Sequence, residues 1–165
     1  MNSESKKAFF DNQERKIREY GFSTVSVAGK AMSFSYTVGL HKSYGHPEMI
    51  VFGLPPNTAH GVLSDIALKA KEGAPFDLSK PSDKLLKDCN AFFVEVPKAA
   101  FAEYILSAIR FNGAEDFSVV QVVWPSARDG LYPWDSDADP EFVASQPVLG
   151  QPNLQAEHDA DGNPH

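Results

Sequence analysis

The densest concentration of chemically capable side chains is the run Leu40-His41-Lys42-Ser43-Tyr44-Gly45-His46-Pro47-Glu48. Imidazole and carboxylate together suit a divalent metal, so His41, His46 and Glu48 form one conceivable ligand set. Their spacing is not that of a helical His-Glu-x-x-His pair, and no fourth ligand is evident, so no metal is assigned. The same three residues could do acid–base work, with a histidine titrating near neutrality and Glu48 orienting it. A nucleophile is missing from that pattern. No serine sits in a Gly-x-Ser-x-Gly elbow. The single cysteine, Cys89, lies between Asp88 and Asn90, and a neighbouring carboxylate makes a thiol harder to ionise. The structural alternative is that His46 shapes the turn before Pro47 while Glu48 binds backbone donors.

A second cluster is aromatic: Trp124-Pro125, then Tyr132-Pro133-Trp134-Asp135. Prolines interleaved with large rings make a stiff loop. Its rings either fold back over the open end of a sheet or form a wall on which a ligand stacks. Asp135-x-Asp137-x-Asp139 resembles the opening of a calcium loop, but Pro140 stands where glycine is needed and Gln146 where a bidentate glutamate is needed. There is no Gly-x-Gly-x-x-Gly and no P-loop. A flavin-like cofactor is suggested by nothing beyond an aromatic, strand-rich body, so the cofactor stays unknown. Each cluster follows a strand, which leads to the expectation that residues 39–48 and 124–135 face one pocket. The candidate ligand-binding residues are then His41, His46, Glu48, Tyr36, Trp134 and Asp135.

These residues need a frame. A charged helix is expected from Ser5 to Tyr20, ended by Gly21. Phe22 to Val27 and Met32 to Val38 flank a short Gly-containing turn and read as a β-hairpin; Met32, Phe34, Tyr36 and Val38 alternate with Ser33, Ser35 and Thr37. Leu40 to Pro47 reads as a loop, and Met49 to Phe52 as an interior strand. Asn57 or Thr58 caps a helix whose apolar residues, Ala59, Val62, Leu63, Ile66, Ala67 and Ala70, fall at helical spacing. Further strands are expected at Lys84 to Asp88, Ala91 to Val96 and Phe117 to Trp124, with a helix opened by Pro97 between the last two. Beyond Pro125 the chain reads as turns and loops. This order is not a regular βαβ alternation. It predicts an α+β fold, a mixed sheet of five to six strands covered by two to three helices.

Charge narrows the function. Residues 1–128 hold 15 Lys and Arg against 14 Asp and Glu, while residues 129–165 hold eight acidic residues and no basic ones. A nearly neutral body without a basic stripe argues against nucleic-acid binding. No apolar run approaches the roughly 20 residues that span a bilayer, the first seven residues lack the apolar stretch of a secretory signal, and one cysteine forms no internal disulfide. The expectation is a cytoplasmic domain over residues 1–150, with a helical lead-in at 1–21 and a disordered acidic tail at 151–165. With no complete catalytic constellation, its function reads as binding a protein partner or a small ligand. A metal-assisted or acid–base hydrolase built on His41, His46 and Glu48 is the alternative.

The run Phe34-Ser35-Tyr36-Thr37-Val38-Gly39-Leu40, followed by His46-Pro47-Glu48 and an apolar strand, resembles a bacterial family catalogued as domain of unknown function 4262. Val120-Gln121-Val122-Val123-Trp124-Pro125, Asp129-Gly130, Tyr132-Pro133-Trp134 and Gln146-Pro147-Val148-Leu149-Gly150 carry the same resemblance in the same order. It implies one domain from about Phe22 to Gly150, with the remaining tail outside it. It carries over no catalytic residues.

Overall fold

The computed structural model describes residues 2–30 and 32–154. Helix α1 (Ser3–Tyr20) starts where the Asn2 side chain accepts the Ser5 N–H, and ends where Gly21 turns left-handed and donates to the Ile17 carbonyl. Strands β1 (Ser23–Val27) and β2 (Phe34–Val38) form the expected hairpin. The segment expected to be a loop instead holds a short helix, α2 (Leu40–Tyr44), before β3 (Glu48–Phe52). Helix α3 (Pro56–Lys71) begins at Pro56, in the first turn where a missing N–H costs nothing.

The strand expected at Lys84 to Asp88 is not formed. That stretch is a series of bends tied down by a bridge between Ser82 and Ala91. Strand β4 (Phe92–Glu95) follows. The helix opened by Pro97 is broken into a 3-10 turn (Lys98–Ala100), α4 (Phe101–Tyr104) and α5 (Leu106–Asn112). Ile105 leaves helical dihedrals at the break, and its side chain is buried in the core. Strand β5 (Val119–Val123) then leads to α6 (Pro140–Ser145), where only turns and loops were expected; Asp139 caps it by accepting the Glu141 N–H.

The five strands form one mixed sheet in the order β1-β2-β3-β5-β4, in which β3 and β5 run parallel and the other neighbours antiparallel. All five residues of β3 and of β5 are buried, as central strands covered on both faces should be. One face packs Met49, Val51 and Val122 against Leu63 and Ile66 of α3. The other packs Tyr36, Ile50 and Phe52 against Ile17 of α1 and against Phe101, Ile105 and Ala108. The sheet and its helices are thus the α+β arrangement that the sequence implies.

Two fully buried glutamines fasten the C-terminal part of the fold. The Gln146 side chain accepts the Trp124 N–H at 3.0 Å and donates to the Trp124 carbonyl at 2.9 Å. Gln121 replies from β5, donating to the Pro147 carbonyl at 2.7 Å and accepting the Leu149 N–H at 2.9 Å. Each amide side chain does what the backbone of a neighbouring strand would do. Gly150 then passes so close to β4 that a Cβ there would collide with the Glu95 carbonyl oxygen. Residues 146–150 are therefore a strap belonging to the core. The tail expected from residue 151 lies outside the described residues from 155 onward. Removing residues 151–165 should leave the thermal midpoint unchanged, whereas removing 146–165 should lower it by about 10 °C or more, as scanning calorimetry would show.

Candidate functional site

Glu48 opens β3 with no solvent exposure, and four donors converge on its carboxylate. Oε1 accepts the Thr37 hydroxyl at 2.8 Å and the Leu40 N–H at 3.1 Å. Oε2 accepts the N–H groups of Gly39 at 3.1 Å and His41 at 3.3 Å. Gly39 adopts φ +111°, a conformation that a side chain disfavours, and this turns its N–H and the next two toward Glu48. The carboxylate thus serves the first turn of α2. Thr37 completes the unit by accepting the Met49 N–H at 2.9 Å. Burial pushes the Glu48 carboxyl up from the ordinary range, against the pull of its donors.

Helix α2 is also fixed to the end of α1. The Ser43 hydroxyl donates to the Gly21 carbonyl at 2.7 Å and the Tyr44 hydroxyl to the Tyr20 carbonyl at 3.3 Å. His46 is buried beside it, with Nδ1 2.7 Å from the Pro47 carbonyl oxygen. A carbonyl only accepts, so Nδ1 carries a proton; Nε2 is buried with no hydrogen-bond partner among the described residues. Tyr36 is likewise committed to the core. Its hydroxyl accepts the Ser107 N–H at 3.2 Å near the start of α5, and burial pushes its phenol up.

The two sequence clusters do not meet. His46 and Glu48 sit at the end of the sheet where Glu48 pairs with Val119, whereas Trp134 packs edge-on against Phe92, which pairs with Val123 at the other end of β5. The expected shared pocket is therefore corrected to two separate neighbourhoods, because β5 runs its full length between them. Tyr132 and Trp134 stack within 3° of parallel over the Phe92 region. Asp135 accepts the Tyr132 N–H at 2.7 Å and closes that turn. The Trp124 indole N–H donates to the Phe52 carbonyl at 2.8 Å.

Of the candidates in the first loop, His41 faces open space. It lines a cavity of about 440 Å³ together with Lys98, Asp116, Phe117 and Ser118. A second cavity, of about 460 Å³, shares Lys98, Phe117 and Ser118 and continues to Glu95, Phe101 and Leu149. The two make one groove across the ends of β3, β4 and β5. Its lining comes from α2, the Pro97 turn, the approach to β5 and the strap. Sequence reading missed all of these but His41, since they lie far apart in the chain and converge through the pairing of β3 with β5.

At the opposite end of that parallel pair lies a further cavity of about 480 Å³, lined by Leu54, Leu86, Cys89, Trp124, Pro125 and Gly130 among others. Burial, with Asp88 adding to it, pushes the Cys89 thiol up, away from the thiolate a nucleophile needs. Among the described residues no group of three or more His, Cys, Asp and Glu side chains is placed to hold a metal ion. No described helix is long and apolar enough to cross a membrane.

The structure therefore defines a class: an α+β domain with a five-stranded mixed sheet, a buried carboxylate holding its central loop, and an open groove beside that loop. The chain belongs to the family described as a domain of unknown function, DUF4262, whose model matches residues 16–139. No curated protein and no solved structure matches the chain.

Proposed function

We propose that the protein is a binding module, and that its groove receives an extended segment of a partner protein. The observation that carries this reading is the shape and lining of the groove: two adjoining cavities with an apolar floor of Phe101, Phe117 and Leu149 and a rim of His41, Lys98, Asp116 and Glu95. An apolar floor suits side chains spaced along a peptide, and a rim of both signs suits a backbone carrying mixed charge. Acid–base chemistry finds less support, since Glu48 spends both carboxylate oxygens on internal donors and His46 is buried. The small-ligand reading shares the same groove.

A displayed library of random peptides, selected on the full chain, tests the proposal. Selected peptides should move the backbone amide resonances of His41, Lys98 and Ser118, and Lys98→Glu should weaken or strengthen each by about tenfold according to its charge, or about 1.4 kcal/mol. Resonance shifts confined to Leu86, Cys89 and Trp124 would move the site to the other end of the sheet and overturn the proposal.

A further inference from the structure

The two edges of the sheet are treated differently. On β4, alternate residues turn their backbone groups away from β5. Val96 donates to Val119 within one facing pair, so Phe93 and Glu95 point outward. That edge is closed at both ends: Ala91 exchanges two hydrogen bonds with Ser82, and Gly150 lies against the Glu95 carbonyl.

The β1 edge has neither closure. Gly53 donates to Ser33 across the β2–β3 pair, which turns the odd residues of β2 toward β3 and its even ones toward β1. Val38, Tyr36 and Phe34 therefore bond to Ser23, Val25 and Val27, leaving the backbone groups of Thr24 and Ser26 facing outward. Among the described residues no hydrogen bond to those outward groups is found and no strand lies beyond β1. Edge strands are commonly protected by a charge, a proline or a bulge. Ser23-Thr24-Val25-Ser26-Val27 has no charge and no proline, and it pairs with β2 in unbroken register. Ser26 and Val27 are exposed, Val27 at 37%.

From this we infer that β1 is a self-association edge, and that its occupant is β1 of a second copy, antiparallel about a two-fold axis at Val25. The choice of a second copy rests on self-complementarity. Antiparallel pairing centred on Val25 sets Thr24 opposite Ser26 of the other chain, and both carry outward-facing groups, so four backbone hydrogen bonds form at once. The same register sets Val25 opposite Val25 as a close β-branched pair and covers each Val27 with Ser23. The strand is uncharged, so two copies meet without like-charge repulsion. The result is a continuous ten-stranded sheet across two chains, with each groove at the far side from the contact.

Sedimentation of the full chain tests this, with twice the 18.1 kDa of one chain expected for the associated form. Val27→Lys should weaken association at least tenfold, and Ser26→Pro, which removes an outward donor and the Ser26–Ser35 hydroxyl contact while sparing the backbone bonds to β2, should do the same with secondary structure retained. In a Cys89→Ser background, Val25→Cys should cross-link to itself under mild oxidation and Val27→Cys should not. A chain that stays monomeric at ~100 µM overturns the inference. So does a dimer indifferent to Val27→Lys. Uptake of a free Ser-Thr-Val-Ser-Val peptide by a chain that remains monomeric would assign the edge to a foreign strand instead.

Discussion

Replacing Glu48 with alanine is expected to cost about 3–5 kcal/mol, because it leaves three backbone N–H groups and the Thr37 hydroxyl without their acceptor at a site with no solvent exposure. Against the roughly 5–15 kcal/mol that holds a domain folded, this is a large fraction. Glu48→Gln is not a safe substitute, since its amide nitrogen must face a backbone donor on either oxygen's side. The substitution should still cost about 2 kcal/mol. Its pH dependence has a definite sign. A carboxyl raised by burial gives the folded state the tighter hold on its proton, so the contribution of Glu48 to stability falls as pH rises above about 4.5, the ordinary glutamate value. Glu48→Gln does not titrate there, so the gap between the two proteins should narrow as pH rises. Urea unfolding at several pH values measures it. A Glu48→Ala cost below about 1 kcal/mol would show that the α2 turn does not depend on this carboxylate.

The second large effect is expected at the strap. Gln121→Leu and Gln146→Leu each remove an acceptor and a donor from buried backbone groups, at about 2–4 kcal/mol apiece. Both hold one segment, so the double variant should cost clearly less than the two single costs together. Proteolysis should also find new cleavage near Val148 in either single variant. Full additivity, with no new cleavage, would mean that residues 146–150 are held by something else.

How much of this was legible in the sequence follows from the range of each signal. The hairpin, the buried run Met49–Phe52 and the α3 stripe depend on periodicity over a few residues, and they were readable. Helix α2 was not, because its five residues owe their shape to Glu48, which lies beyond the helix, and to a left-handed Gly39. The apparent strand at Lys84 to Asp88 has apolar residues in Leu85 and Leu86, yet Asp88 takes φ +61° and the chain turns there. The role of Gln121 was not readable, because the partners of this polar residue in an apolar strand lie 26 and 28 residues on and no local pattern names them. In the first loop the structural alternative read from the sequence is the one formed, with Glu48 binding backbone donors and His46 at the turn before Pro47. The two residues richest in apparent chemistry, His46 and Glu48, face inward, and His41 is left at the groove with Lys98 and Ser118.

The parallel pairing at the centre of the sheet also bears on how the chain is made. Strand β3 follows β2 after about ten residues, but its other neighbour, β5, emerges about seventy residues later, and such distant contacts form slowly. During synthesis the first three strands can therefore stand as a meander with Met49-Ile50-Val51-Phe52 bare along one side. That interval is when the nascent chain is most open to pairing with the wrong strand. A ribosome that pauses between residues 53 and 119 would lengthen it, so the yield of folded protein should respond to translation speed over that stretch more than to changes upstream.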